Sequence, residues 1–218
     1  MGDGCLTLHG EGEYVIMDMI CLDFEGVLIP EIWINIAIIT GIEELKVTTR
    51  DIPDYDILMK QRLSILKKHK LTIKDIQSVI AGMSPLPGAA GFLKWLRENY
   101  QLVILSDTFY DFAMPFMKQL DYPVLLCHKL EINVDGMIDN YVLRQKNAKR
   151  ESVRAFQSLS YRVIAAGDSY NDVAMLTEAA AGILFRPPQN VIDEFPQFPV
   201  NNTFDELKES IISLDSRL

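Results

Sequence analysis

The chain has 218 residues, about half of them apolar and 23% charged, a composition typical of a globular protein that buries one good core. Its formal net charge of -9 excludes broad binding to nucleic acids or anionic membranes, because either needs an extended basic face and the basic clusters here are short. No apolar run reaches the roughly 18 residues that a membrane-spanning helix needs. Cys5, Cys21 and Cys127 form no CxxC pair, and we interpret them as reduced thiols of a cytoplasmic protein.

Residues 1–16 precede the first apolar run. They lack the basic start and the apolar middle of a secretory signal. We interpret them as a leader or upstream extension, with Met17 or Met19 as a natural start.

From Met19 onward, apolar runs of strand length alternate with amphipathic segments. The runs are MICLDF, QLVILSD, PVLLCHKLEI and RVIAAGDS, with AGILF as a fifth. Each is apolar enough to be covered on both faces, which is typical of parallel α/β sheets. We therefore predict a Rossmann-like, doubly wound parallel sheet. The pair Asp135-Gly136 is a hairpin signal and predicts a small antiparallel excursion.

The long segment between the first two predicted strands, residues 31–85, reads as helical throughout. Its run DYDILMKQRLSILKKH has helical apolar spacing, and Thr72 and Asp75 stand at capping-box spacing before a further helix. We predict that residues 31–85 form a small helical cap inserted after the first strand, and that residues 17–30 and 86–218 form the catalytic core. Near the C-terminus, Thr203 and Glu206 predict a last helix, and the four prolines of residues 187–200 predict a loop-rich connection.

Polar residues collect where the predicted strands end. In an open parallel sheet, ligands bind beyond the carboxyl ends of the strands, so side chains from separate strands converge there. Three segments of this chain contribute to that edge: Asp23 and Glu25 after the first strand, Ser106 and Asp107 after the second, and Asp168, Asn171 and Asp172 in the later GDSYND run.

Carboxylates held this close repel one another unless a cation lies among them. Mg²⁺, bound by one or two carboxylates and a substrate phosphate, suits such a site, and we predict Asp23 and Asp168 as its side-chain ligands. Gly26 would let the chain turn sharply, so that the backbone carbonyl of Glu25 also faces the metal. Phosphoryl transfer follows as the predicted chemistry, with Asp23 as nucleophile and Glu25 as general acid and base.

The phosphate also needs donors on its metal-free side. Ser106 offers a hydroxyl group, and a lysine of the RQKNAKRES run would add a charge; Lys149 is our choice and Lys146 the alternative. A simpler interpretation stays open for other residues. Asp107, with the threonine that follows it, would only cap the next helix, and Asp172 would cap another. The histidines are assigned to core or surface positions.

The runs DFEGVL, LSD, NAKR and GDSYND together resemble the four motifs of haloacid dehalogenase-like phosphotransferases. The predicted cap is similar to the helical cap of phosphoserine phosphatases. The longer runs CLDFEGVLIPEIW, TTRDIPDYDILMKQRL, VILSDTFY, LLCHKLEI and YRVIAAGDSYND resemble the bifunctional phosphoserine phosphatase/homoserine phosphotransferase branch. Glu25 stands where the superfamily usually has a second aspartate, and Val27 where it usually has a threonine; the narrower branch shares both.

This resemblance implies a magnesium-dependent phosphoserine phosphatase that forms an aspartyl phosphate and also transfers the phosphoryl group to homoserine. It implies Asp23, Glu25 and Lys149 as catalytic residues and a phosphorylated amino acid as the partner, with a homodimer left open. Arg62, which by itself is more often a solvated charge, would bind the substrate carboxylate, and Glu31 its ammonium group. The other implied substrate-binding residues are Ser106, Asp107, Lys149 and Asn171. A phosphatase of another small phosphomonoester and a non-catalytic sensor of phosphorylated metabolites are the alternatives.

Overall fold

The computed structural model describes residues 17–48, 51–52 and 54–214, so the interpretation of residues 1–16 as a leader lies outside the described residues. Within them, seven strands form one sheet in the order β4-β3-β2-β1-β5-β6-β7. The strands are β1 Met17–Leu22, β2 Gln101–Phe109, β3 Leu125–Ile132, β4 Ile138–Val142, β5 Tyr161–Gly167, β6 Ala181–Phe185 and β7 Val200–Asn201. All neighbours pair in parallel except β3 and β4, which form the antiparallel hairpin predicted around Asp135-Gly136.

Nine α-helices connect the strands in the described part of the chain. They are α1 Ile32–Thr40, α2 Tyr55–Lys68, α3 Ile73–Ala81, α4 Ala89–Asn99, α5 Tyr110–Gln119, α6 Ala148–Ser158, α7 Val173–Glu178, α8 Gln189–Glu194 and α9 Phe204–Ser213. The two predicted capping boxes are present at the starts of α3 and α9. None of these helices has the length and hydropathy that a membrane crossing needs.

Residues 187–200, predicted as a loop-rich connection, contain helix α8, and strand β7 begins at Val200, so the segment has more regular structure than predicted. Pro188 is the N-cap of α8, and Pro196 comes after its last residue. A proline at the start of a helix breaks no intrahelical hydrogen bond, so these prolines bound the helix without interrupting it.

The sheet is covered on both faces, as a doubly wound fold requires. Ile20 and Leu22 of β1 belong to a large core cluster that includes residues of α4, α5 and α9. Met19 and Cys21 point to the opposite side and join a smaller cluster with residues of α6, α7 and α8. This alternation follows from the pleat of the strand, in which successive side chains face opposite ways. The predicted doubly wound sheet is therefore confirmed.

Residues 31–85, which we predicted to form a cap and call the cap below, contain α1, a 3₁₀ turn at Glu43–Lys46, α2 and α3. The described residues between this turn and α2 are not helical, so the segment is less helical than predicted. Hydrogen bonds tie the cap to the rest of the molecule. The Ile73 N–H donates to the carbonyl of Gly136 in the β3–β4 hairpin at 2.8 Å, and the Gln77 side chain donates to the Asp111 carbonyl of α5 at 2.9 Å.

Candidate active site

The polar residues singled out in the sequence meet at one edge of the sheet. Asp23 directly follows β1, and its N–H donates to the carbonyl of Ala166 in β5 at 2.9 Å. Asp168 follows β5, and Ser106 lies near the end of β2. Because β2 and β5 flank β1, the ends of three neighbouring parallel strands deliver these side chains to the same place.

Lys149, in the first turn of α6, contributes a positive charge to this edge of the sheet. Its Nζ lies 2.8 Å from Asp23 Oδ1, 2.7 Å from Asp172 Oδ1 and 3.6 Å from Asp107 Oδ2. Only 4% of Lys149 and 4% of Asp23 is exposed, and Asp172 is fully buried. The alternative, Lys146, is exposed to solvent. The structure thus brings Lys149, not Lys146, to the carboxylates.

The electrostatics of this cluster depend on burial and on mutual charge. Burial raises the pKa of Asp23 well above its ordinary value, Asp172 raises it further, and Lys149 opposes both. Burial by itself would lower the pKa of Lys149, but the surrounding carboxylates, Asp172 above all, hold that pKa well above its usual range. Lys149 therefore stays charged, whereas burial makes the Asp23 carboxyl group harder to ionise than a free one, an effect that Lys149 partly offsets.

Three carboxylates, those of Asp23, Asp168 and Asp172, each place an oxygen within 4.8 Å of the other two. Burial, and next the charge of Asp172, raises the pKa of Asp168 to about 7. Hard divalent cations such as Mg²⁺ bind clusters of carboxylate oxygens, and their charge would relieve this repulsion. The donor set therefore fits a magnesium ion.

Within this set, Asp172 already has donors on both oxygens. Its Oδ1 accepts from Lys149, and its Oδ2 accepts from the N–H groups of Asp168 at 2.9 Å and Ser169 at 3.1 Å. The simple capping interpretation of Asp172 is therefore right in part, since this side chain closes the turn that follows β5. Asp23 and Asp168 remain the carboxylates better placed to hold a metal.

Gly26 permits the close approach of Asp168 to the turn after β1. Its φ is +79°, and a Cβ there would lie 2.5 Å from Asp168 Oδ2. Glu25, beside it, is half-buried and accepts a hydrogen bond from the Ile32 N–H at 2.8 Å. Burial raises the pKa of Glu25. A carboxyl group that keeps its proton more readily is suited to general acid chemistry.

The end of β2 carries the remaining polar groups. Ser106 is buried and accepts from the Thr108 N–H at 3.2 Å. Asp107 does not cap a helix, because β2 continues to Phe109, and Phe109 is the N-cap of α5 without a side-chain cap. The Asp107 carboxylate instead accepts a hydrogen bond from Asn171 Nδ2 at 3.0 Å. The role predicted for Ser106 requires only that its hydroxyl group donate a hydrogen bond to the substrate phosphate.

His128, which we assigned to a core or surface position, contacts this group. Its Nε2 lies 3.5 Å from Asp107 Oδ1, while its Nδ1 accepts from the Arg144 N–H at 3.1 Å. Although burial opposes it, Lys149 and the hydrogen bonds from His128 and Asn171 hold the pKa of Asp107 below its usual range. Asp107 is thus an ionised anchor between these residues. No pattern in the sequence indicates this contact, since His128 lies inside an apolar strand.

Arg62 of the cap is buried, so the alternative of a solvated charge is wrong. Its guanidinium carbon lies 4.6 Å from the ring centre of Trp33, and Nη2 donates to the Val47 carbonyl at 2.9 Å. Its Nε is buried and has no hydrogen-bond partner among the described residues. Burial lowers the pKa of Arg62 to about 10, against the raising effect of Glu25, Tyr55 and Glu31.

Glu31 is the residue just before α1, at its N-cap. Its charge raises the pKa of Arg62 and adds to the raised pKa of Asp168, so it acts electrostatically on both Arg62 and the carboxylate cluster. Tyr55, at the start of α2, donates from its hydroxyl to the Asp107 carbonyl at 3.0 Å. The cap therefore reaches the strand ends directly.

Comparisons with known proteins show the family to which the chain belongs. Residues 17–180 match the family model described as haloacid dehalogenase-like hydrolase. The chain is 62% identical over 201 residues to the phosphoserine phosphatase ThrH of Pseudomonas aeruginosa, covering 92% of this chain and 98% of that protein. It is 59% identical over 212 residues to a phosphoserine phosphatase of Pseudomonas syringae pv. tomato, covering 97% of this chain and 89% of that one.

Solved structures show the same fold. A structure titled as a phospho-aspartyl intermediate analogue of phosphoserine phosphatase superposes with a TM-score of 0.76 at 20% identity, covering 90% of this chain and 99% of that one. The fold, the family match and the two close relatives agree with one another. The chain belongs to the family of haloacid dehalogenase-like hydrolases.

Proposed function

We propose that this protein is a magnesium-dependent phosphoserine phosphatase that works through an aspartyl phosphate on Asp23. The observation that carries the proposal is the buried cluster in which Lys149 lies 2.8 Å from Asp23, beside the carboxylates of Asp168 and Asp172. A nucleophilic carboxylate, a fixed cation and an oxygen-rich metal site are what phosphoryl transfer to an aspartate needs. Two relatives of about 60% identity carry the name phosphoserine phosphatase.

In the first half-reaction, Asp23 attacks the phosphorus of the substrate, and the bond from phosphorus to the seryl oxygen breaks. Glu25 gives its proton to that leaving oxygen. In the second half-reaction, Glu25 accepts a proton from water, which attacks the phosphorus and frees Asp23. Lys149 holds one carboxylate oxygen of Asp23 in place and offers positive charge to the phosphoryl oxygens.

Mg²⁺, when bound, lowers the repulsion between the nucleophile and the incoming phosphate. Asp23 and Asp168 would hold it, with the backbone carbonyl of Glu25 as a further ligand. Asp172 would stabilise the site indirectly, through its hydrogen bonds with Lys149 and with the turn after β5. Ser106 and Asn171 would donate to the phosphate, and the ionised Asp107 would keep Lys149 and Asn171 in position.

The cap, residues 31–85, would read the amino-acid part of the substrate, while residues 17–30 and 86–218 form the core that does the chemistry. Arg62 is a buried cation whose Nε has no partner among the described residues, and the substrate carboxylate would pair with it. Glu31 would accept from the ammonium group. The contact between a nucleophilic carboxylate and a buried lysine argues against the alternative of a non-catalytic sensor, because binding alone does not need a nucleophile.

The phosphoryl acceptor in the second half-reaction is water or a second amino alcohol. An oriented alcohol reaches an effective molarity on the order of 10⁵ M or more, so homoserine in the emptied site would compete with water. One extra methylene changes recognition by only about 1–3 kcal/mol, so a site that releases serine also admits homoserine. We therefore extend the proposal to transfer from phosphoserine to homoserine in a cytoplasmic enzyme.

The test is release of inorganic phosphate from L-phosphoserine, with Mg²⁺ and with EDTA, followed by the same reaction with homoserine and identification of the phosphorylated product. We expect turnover only with the metal, and O-phosphohomoserine when homoserine is present. Asp23→Asn should be inactive, whereas Asp135→Asn in the exposed hairpin should match the wild type. Retained activity on an aryl phosphate without turnover of phosphoserine would point instead to another small phosphomonoester.

A further inference from the structure

Trp33 determines how the buried Arg62 is held. The guanidinium carbon lies 4.6 Å from the centre of the indole ring, within the distance at which a cation and an aromatic face attract each other. Trp33 is itself buried, with 8% of its surface exposed. Since water screens neither group well, this contact is of the stronger, desolvated kind.

Two hydrogen-bond donors of the guanidinium are fixed in addition. Nη2 donates to the Val47 carbonyl at 2.9 Å, and Nη1 lies 3.9 Å from the sulfur of Met59. A planar group that lies against a ring and is tied at its far nitrogens keeps a single orientation. In that orientation Nε is the atom left without a partner among the described residues. The ring and the Val47 carbonyl together determine which edge of Arg62 keeps a donor without a partner among the described residues.

Trp33 is also held from the core side. Its ring meets Phe112 of α5 edge to face, with centroids 5.4 Å apart, and Phe112 meets Phe109 in the same manner at 5.6 Å. Phe109 is the last residue of β2, the strand that carries Ser106. A continuous row of packed aromatic rings therefore connects the cap cation to the strand end that would hold the phosphate.

We propose that Trp33 is a positioning residue for substrate selectivity: by orienting Arg62, it makes the site prefer phosphate esters that carry a carboxylate. This inference rests on the proposed function, in which Arg62 binds the substrate carboxylate. Its measurable quantity is a selectivity ratio, defined as kcat/KM for L-phosphoserine divided by kcat/KM for O-phosphoethanolamine. The second ester keeps the phosphate and the ammonium group and lacks only the carboxylate.

Trp33→Leu removes the ring and should lower the selectivity ratio roughly tenfold or more, chiefly through KM for phosphoserine, because the guanidinium loses its orienting face. Trp33→Phe keeps a smaller and weaker aromatic face and should lower the ratio about threefold. Trp95→Leu is the matched control, because that ring also lies under a cation, Lys208 at 5.8 Å, but in α4 and outside the site. It should leave the ratio unchanged.

The double variant Arg62→Ala/Trp33→Leu separates positioning from general packing. If Trp33 acts through Arg62, the double variant has the same ratio as Arg62→Ala alone, which should itself fall about tenfold or more. Equal losses for both esters in Trp33→Leu, or an unchanged ratio in Trp33→Phe, would overturn the inference. Should Trp33→Leu fail to fold, Trp33→Phe decides. An unchanged ratio in Arg62→Ala would instead overturn carboxylate recognition in the proposed function.

Discussion

Replacing Lys149 with methionine tests the buried cluster most severely. The substitution keeps the length of the side chain but removes the charge that lies 2.7 Å from Asp172 and 2.8 Å from Asp23. Removing one partner of a buried ion pair costs about 3–5 kcal/mol, because the other partner keeps an uncompensated charge. In a protein of this length, each kcal/mol lowers Tm by roughly 2–4 °C, so we expect a fall of roughly 6–20 °C near pH 8.

The pH dependence of this loss has a definite sign. Lys149 lowers the pKa of Asp23, so without it that pKa, already raised by burial, rises further. An acid whose pKa is raised by folding stabilises the protein fully below its unfolded pKa and loses that contribution as the pH rises through the folded pKa. The deficit of Lys149→Met should therefore grow as the pH rises through the range in which the Asp23 carboxyl group ionises in the folded wild type but not in the folded variant.

The assay is thermal unfolding followed by circular dichroism, in EDTA, at several pH values. Lys94→Met serves as the control, because Lys94 is exposed and its nearest acid, Glu98, lies 3.9 Å away; its Tm should match the wild type at every pH. The reasoning is refuted if Lys149→Met melts within about 2 °C of the wild type at pH 8, or if its deficit does not change with pH.

Three further predictions follow from individual contacts. Burial raises the pKa of Asp168 to about 7, and a metal needs the ionised carboxylate. The rise in Tm on adding Mg²⁺ should therefore be small near pH 6 and larger near pH 8. An equal rise at both pH values would exclude Asp168 as a ligand. Gly26→Ala should lower the free energy of unfolding by about 1–3 kcal/mol and remove most activity, because its Cβ would lie 2.5 Å from Asp168. Gly91→Ala is the control, because the space around Gly91 is open; chemical denaturation should show its free energy of unfolding to be about 0.5–1 kcal/mol higher. Tyr55→Phe loses the 3.0 Å hydrogen bond to the Asp107 carbonyl and should cost about 0.5–1.5 kcal/mol; no change by the same measurement would mean that this bond does not hold the cap.

The sequence predicts the sheet well because its strands are local, apolar and bounded by clear signals. The hairpin at Asp135-Gly136 and the two capping boxes are likewise local signals, and all are present in the structure. The proline pattern does not predict helix α8, because clustered prolines usually indicate a loop, although a proline at the N-cap is compatible with a helix. Local patterns cannot distinguish a proline inside a helix from one at its edge.

The part of the candidate site that lies at the strand ends was predictable from the sequence. Acids that follow parallel strands must converge, and Asp23 and Asp168 do. The contact between His128 and Asp107 and the stacking of Arg62 on Trp33 depend on how separate elements pack, which no spacing along the chain encodes. Burial of Arg62 could not be inferred from its helix alone, because it requires the neighbouring α1 to cover it.

The central claim is that the phosphoryl group passes through Asp23, and trapping that intermediate tests it most directly. The enzyme is mixed with L-phosphoserine and Mg²⁺, quenched in acid within the first turnover, digested, and examined by tandem mass spectrometry. We expect one phosphoryl group on Asp23, absent from Lys149→Met treated in the same way. A phosphoryl group on another residue, or normal turnover by Asp23→Asn, would contradict the account.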